Sequence, residues 1–229
     1  MLVKLIASTA LEFDALDELD YLDDGSEFPF ASDHLAELAG RACYQSFNRP
    51  NPDTADNKGY LANILDKGHE SVLAHASATF YVTGVSRTLT HELIRSRFLA
   101  FSELSQRYVD MGTSYTVVPP AIRGDWALEE LIRDHHDRSV NLYDRIVDAL
   151  AAQGVSGKKA REAARAVLPG GTETRIVVSG NLRAWLDFIR QRNTVHADQE
   201  IQLFAREVLR QLKEIAPNTL QNVSLEPTT

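Results

Sequence analysis

At 229 residues, with 44% hydrophobic and 24% charged side chains, the chain carries enough apolar content for one substantial core, and it reads as a single domain spanning 1–229. A formal net charge of -8 disfavours nonspecific contact with nucleic acid or an anionic membrane, and no apolar run reaches the ~20 residues of a membrane span, so a cytoplasmic location is expected. The one cysteine, Cys43, precludes an internal disulfide and a cysteine-based zinc site, and is expected to be a small, inert core residue.

Alternation around Val3 and Leu5 predicts a first strand, followed by an exposed acidic loop from about Glu12 to Phe30. Ser32 is positioned to cap a helix through Tyr44, with Leu35, Leu38, Ala39 and Ala42 on its apolar stripe. A second helix is expected from Asp53 or Thr54, burying Tyr60, Leu61, Ile64 and Leu65 and ending at Gly68, which leaves His69 at the exit. The run Ala76 to Thr83 is rich in strand formers and Gly84 should close it. Ser86 then caps a helix carrying Leu89, Leu93 and Ile94, and places Arg87, His91 and Arg95 on one stripe. Tyr115 to Val118 reads as a short strand, and Leu128 to Leu150 as a long amphipathic helix whose charges form a solvated face. The last third alternates: a helix from Lys158 to Val167, a strand from Thr174 to Val178, a helix from Asn181 or Leu182, and a final helix from about Ala197 to Ile215. The class is mixed α and β, without internal repeats.

The densest chemistry lies between Arg95 and Tyr108, where three arginines, three serines and a glutamate occur in a chain that is otherwise acidic. Arginine forks meet phosphate or carboxylate bidentately, so the segment predicts a site for a small anionic ligand. His91-Glu92-Leu93-Ile94-Arg95 begins like the helical zinc-protease motif, but arginine stands where the second histidine must be, and no metal is expected. His75, His135 and His136 read as structural groups. Ser105 has no neighbouring base, so it is expected to hydrogen-bond a ligand rather than attack one. Gly170-Gly171 lacks the lysine of a phosphate loop and marks a turn.

The segment Arg95-Ser96-Arg97 through Ser105-Gln106-Arg107-Tyr108 resembles the signature of the flavin-dependent thymidylate synthases, which runs Arg-His-Arg, a spacer, then Ser-x-Arg-Tyr. Gly68-His69-x-Ser71, Ser86-Arg87, Ala164 to Pro169, Thr172 to Arg175, Gly180-Asn181 and His196-Ala197-Asp198-x-Glu200-Ile201 are similar to further family blocks, in family order. The resemblance implies an α+β domain with a central antiparallel sheet flanked by helices, and methylation of dUMP to dTMP. Methylenetetrahydrofolate would be the carbon donor, FAD the hydride carrier and NADPH the reductant, in a homotetramer with sites shared between subunits. No enzymic thiol is needed on such a route.

Position by position, the resemblance assigns Arg87, Glu92, Leu93, Ile94, Arg95, Glu103, Leu104, Ser105, Gln106, Arg107 and Arg165 to dUMP. Arg192 is the catalytic candidate, assisting ionisation at uracil N3. Ser71, Arg95, Ser96, Arg97, Glu103, Asn181, Leu182, Arg183 and Asp187 fall to FAD, and Tyr44 and His69 to the folate and nicotinamide side. Departures from the pattern cluster near the flavin: Ser96 replaces the middle histidine, Ala100 a serine, Ala74 a glutamate, and Asp187 a frequent histidine. Weak FAD retention is therefore expected. The alternative is a catalytically impaired dUMP-binding homologue that acts by sequestering nucleotide or joining mixed oligomers.

Overall fold

The computed structural model describes residues 1–19, 21, 29–47, 54 and 56–229. In chain order its elements are β1 (Leu2–Ser8), α1 (Phe13–Glu18), α2 (Ala31–Tyr44), α3 (Asn57–Asp66), β2 (Ser77–Ser86), α4 (Arg87–Leu93) and β3 (Ala100–Glu103). They continue with α5 (Trp126–Ala152), α6 (Lys158–Ala164), β4 (Glu173–Asn181), α7 (Leu182–Arg192) and α8 (Gln199–Ile215). The strands form one antiparallel sheet in the order β1-β2-β4-β3, flanked by helices, as the family resemblance implied.

The central strands β2 and β4 bury Phe80, Val82, Ile176 and Val178 against α7 and α8. An aromatic chain crosses this layer: Phe80 meets Trp185 edge-on at 5.1 Å, Trp185 meets Phe188 at 6.0 Å, and Phe188 meets Phe204 at 5.6 Å. The indole Nε1 of Trp185, fully buried, donates to the carbonyl of Ala78 at 3.1 Å, so its polar atom is satisfied by the sheet it packs on. At the edge, the Gln211 side chain of α8 accepts from Leu5 N and donates to Val3 O, each at 2.8 Å, which occupies backbone groups that β1 would otherwise leave open.

Several expectations need correction. The segment expected as an exposed acidic loop contains α1, whose Leu16 is buried; residue 20 and residues 22–28 lie outside the described residues. Helix α2 starts from Phe30 rather than a Ser32 cap, and Ser32 is buried within its first turn. Its buried face is also not the predicted apolar stripe: Asp33, Ala36, Glu37, Gly40 and Arg41 face inward, while Leu35 and Leu38 are half-buried and Ala42 is exposed. The polar groups supply one another's partners. Arg41 Nε donates to Glu37 Oε1 at 2.6 Å, Asn57 Nδ2 to Glu37 Oε2 at 2.7 Å, and Asp33 accepts from the amides of Asn218 and Thr219. Burial raises the Asp33 carboxyl above its ordinary value, against those hydrogen bonds.

Cys43, expected in the core, is exposed, because it sits in the last turn of α2 off the buried face. Helix α3 begins at an Asp56 cap, three residues beyond Asp53, which lies outside the described residues; its buried Tyr60, Leu61 and Ile64 match the expectation. Gly84 does not end β2. At φ 69° it sits where the pairing with β4 slips between Thr83 and Val85, and the strand resumes to Ser86. Ile94, assigned to the apolar face of α4, is 47% exposed just past the helix end, and Arg95 lies beyond the helix that was to carry it. The expected strand Tyr115 to Val118 reduces to a single bridge between Thr116 and Thr172. Helix α5 buries only His136, Ser139 and Tyr143, leaving Trp126, Leu131 and Leu142 exposed along with its charges.

Candidate active site

Helix α4 carries the expected site residues Arg87 and Glu92, and two buried groups fix where it starts. Ser86 Oγ accepts from Leu89 N at 3.0 Å, the N-cap the sequence predicted, and donates to Glu200 Oε2 of α8 at 2.6 Å. Glu200 Oε1 accepts from Ser86 N at 2.9 Å. Arg87 leaves the first turn and reaches Glu103 of β3 at 3.2 Å. That same carboxylate oxygen takes bonds from Thr90 Oγ1 at 2.8 Å and Thr174 Oγ1 at 3.1 Å, so α4, β3 and β4 all converge on Glu103.

At the other end of α4, Glu92 meets Arg192, the last residue of α7. Arg192 Nη1 lies 3.0 Å from Glu92 Oε2 and Nη2 lies 3.4 Å from the Glu92 carbonyl oxygen. Both side chains keep part of their surface open, at 24% for Arg192 and 31% for Glu92, so a ligand can reach the pair.

The Arg95–Tyr108 segment runs from the end of α4 through β3 into a turn in which Ser105 O accepts from Tyr108 N and Val109 N, both at 3.0 Å. Gln106 is buried with its Nε2 lacking a protein acceptor, a donor waiting for a partner from outside this chain or this loop. Arg107 makes a long, exposed contact of 3.4 Å with Glu162, and its guanidinium lies 5.9 Å from the Tyr108 ring centroid. Lys158 stands over the Tyr108 ring at 4.7 Å and its hydrogen bond holds the phenol below its ordinary pKa. Among the described residues, Arg95, Arg97, Arg165 and Arg183 form no ion pair.

Two adjoining cavities share Glu70 and Arg183. One of about 410 Å³ is lined by Ala74, Phe98, Asn181 and Asp187 in addition to that pair. The other, about 320 Å³, is lined by Cys43, Tyr44, His69 and Ser71, and the Tyr44 and His69 rings stack at 6.4 Å. Asn181 caps α7 by accepting from Ala184 N at 2.8 Å. Arg190 reaches Glu70 at 2.6 Å, and that hydrogen bond holds the Glu70 carboxyl below its ordinary value.

The structure therefore joins Arg192 with Glu92 and Arg87 with Glu103, and gathers Ser71, Tyr44, His69 and Arg183 at one cavity and Asn181, Arg183 and Asp187 at the next. Leu93 and Leu182 belong to the core and are buried, and Leu104 packs on the small cluster of Met111, Tyr143 and Ala164. Arg95, Ser96, Arg97, Ser105 and Arg165 line neither of these cavities, nor the two others described. The largest of the four, about 600 Å³, lies between α3, α7 and the C-terminal segment and includes Glu70 but no expected site residue. A fourth, about 330 Å³, adjoins Ser86, Pro119, Pro120, His135 and Glu200. Sequence reasoning did not anticipate Ser86–Glu200, Lys158 or Arg190, because each acts through a partner distant along the chain.

The thymidylate synthase complementing protein family model matches residues 29–218. The chain is 49% identical to the flavin-dependent thymidylate synthase of Mycobacterium marinum over 222 residues, covering 94% of this chain and 86% of that protein. It is 48% identical to the enzymes of the same name from Mycobacteroides abscessus, over 223 residues covering 94% and 87%, and Mycobacterium tuberculosis, over 222 residues covering 94% and 86%. With the antiparallel sheet, Arg87 of α4 and the Arg192–Glu92 pair in the same chain as these matches, the protein belongs to the thymidylate synthase complementing protein family.

Proposed function

We propose that the protein methylates dUMP to dTMP, with methylenetetrahydrofolate as carbon donor and NADPH as the source of reducing equivalents. The observation that carries this reading is the partly open Arg192, fixed through both terminal nitrogens at the junction of α4 and α7. A guanidinium held beside the uracil stabilises the negative charge that grows as N3 loses its proton, and its preorganisation means little reorganisation is needed during the reaction. Arg87, Arg107 and Arg165 supply cations for the phosphate, and Ser105 and Gln106 supply hydrogen bonds; the unpartnered Gln106 Nε2 supports a ligand there.

The flavin side fits the residues present. Arg183 has no ion-pair partner and faces two adjoining cavities, an arrangement suited to the phosphates of a dinucleotide. Ser71, Asn181, Leu182, Arg183 and Asp187, with Arg95, Ser96, Arg97 and Glu103, would hold FAD, which when bound supplies hydride-carrier chemistry. Tyr44 and His69 would shape the folate and nicotinamide side of the crevice. Ala74, which lines the flavin-side cavity where the family pattern has a carboxylate, and Ser96 both remove polar partners and weaken FAD retention. The signature residues that line no cavity of one chain, and the uncovered apolar residues of α5, support a homotetramer in which neighbouring copies complete each site. The net charge of -8 and the lack, among the described residues, of a helix long and apolar enough to cross a membrane support a cytoplasmic enzyme.

Conversion of dUMP to dTMP with FAD, NADPH and methylenetetrahydrofolate, run beside Arg192→Ala, tests the reading. The substitution is expected to lower turnover by about 100-fold or more. Unchanged turnover removes Arg192 from the chemistry, and a wild-type protein that makes no dTMP overturns the assignment.

A further inference from the structure

We infer that Glu92 is the positioning residue for Arg192 and sets the pH at which the uracil edge ionises; the inference deepens the proposed function and rests on it. Two of the five guanidinium N–H donors of Arg192 are taken by one residue, the Nη1 donor by the Glu92 carboxylate at 3.0 Å and the Nη2 donor by the Glu92 carbonyl at 3.4 Å. Side chain and backbone together fix the plane of the fork, and the remaining donors stay open to a ligand. Arg192 ends α7 and is otherwise free of acidic neighbours among the described ion pairs, so without Glu92 the long side chain has no second anchor.

The same carboxylate has an electrostatic cost for the reaction. A negative charge 3.0 Å from the guanidinium offsets part of the field that favours a uracil anion, so Glu92 buys orientation by moving ionisation to higher pH. The neighbouring charges do not substitute for it. On α4 and its exit, Arg87 is committed to Glu103, leaving His91 and Arg95 beside Glu92. On α7, Arg190 is committed to Glu70 of the 3-10 turn before β2, Asp187 stands more than one turn back from Arg192, and Arg183 more than two. From β4 come Glu173, bonded to Thr83 and Gly84, and Arg175 beside it. From α8 come Glu200, bonded to Ser86, the Arg206 side chain, and Glu207 and Glu214 paired with Arg210. Strand β2 contributes no charge.

The test compares Glu92→Gln and Glu92→Ala with wild type, each also in His91→Gln and His196→Gln backgrounds to remove the imidazoles nearest to the pair along the chain. Two readouts are used: the pH dependence of kcat for dUMP, and the ultraviolet titration of bound 5-fluoro-dUMP, which reports the ring anion without turnover. Glutamine keeps an acceptor for Arg192 and loses the charge, so the ionisation midpoint is expected to fall by about one pH unit, tenfold more anion on the acid side. Alanine loses the anchor, and kcat is expected to fall at every pH, with glutamine restoring part of it. A Gln midpoint equal to or above wild type in every background overturns the inference, as does an Ala variant with wild-type kcat. A wild-type protein that binds the nucleotide but makes no dTMP would sink the proposed function instead, and the absorbance titration would still judge Glu92. Thermal melts of each variant separate a folding defect, which lowers the melting point without moving the midpoint.

Discussion

Replacing Ser86 by alanine should be among the more damaging single-atom deletions in this protein. The hydroxyl does two jobs at once: it caps α4 by accepting from Leu89 N at 3.0 Å, and it donates to Glu200 Oε2 at 2.6 Å. Loss of an N-cap costs about 1 kcal/mol. Loss of the second bond leaves one oxygen of a carboxylate that is 7% exposed without its donor, and a hydrogen bond to a charged group is worth about 1.5–3 kcal/mol. The sum is about 3 kcal/mol, which for a chain of this size corresponds to roughly 6–12 °C in Tm. Urea unfolding followed by circular dichroism at fixed protein concentration measures it, with Ser86→Thr as the variant that keeps the oxygen. In a double-mutant cycle with Glu200→Ala, the two losses should be less than additive, because the second substitution removes the carboxylate the first one strands. An alanine variant within about 0.5 kcal/mol of wild type would refute the reasoning, since it would mean that Ser86 is not the joint between α4 and α8.

Three other outcomes follow from local substitutions. Gly180→Ala drives a methyl group into Leu99 Cδ2 and to 3.4 Å from Trp185 Nε1, so the buried leucine must shift; a loss of about 1–3 kcal/mol in urea unfolding is expected, and neutrality would show that the β4 end is more plastic than its packing suggests. Glu70 is held below its ordinary pKa by Arg190, so the stability from this pair is present above the unfolded carboxylate value and is lost as pH falls through the folded one. The stability gap between wild type and Arg190→Met, under about 1 kcal/mol for so exposed a pair, should therefore close as pH falls below the ordinary carboxylate value in pH-resolved urea melts, and a gap that widens on acidification contradicts the sign. Ser96→His combined with Ala74→Glu should tighten FAD binding by about tenfold or more in a fluorescence titration, and unchanged affinity would refute the proposal that these two positions weaken it.

What this chain specifies locally can be read residue by residue. Ser86 and Asn181 cap α4 and α7 as their side chains require, since an N-cap bond closes within three residues. The strand formers of β2 and β4, and the period of α8, likewise carry their own structure, and the segment from Arg95 to Tyr108 is legible as a candidate anion site by residue type alone. Local pattern failed where a side chain's partner lies far along the chain. In α2 the apolar stripe was a poor guide, because Glu37, Arg41 and Asn57 satisfy one another and Asp33 finds the amides of Asn218 and Thr219, which lets the polar face turn inward and leaves Cys43 outside.

The site divides in the same way. Arg192 and Glu92 are each legible as candidates, but their pairing spans 100 positions and depends on the ends of α4 and α7 meeting. Glu103 could be read as a ligand contact, yet its carboxylate is already engaged by Arg87, Thr90 and Thr174 from two other elements. Sequence determined which groups this protein has to work with and the turns and caps that present them, because those obey interactions a few residues long. Only the tertiary structure decided which charge neutralises which, since that follows from where the sheet and helices bring distant chain segments to within a hydrogen bond's length.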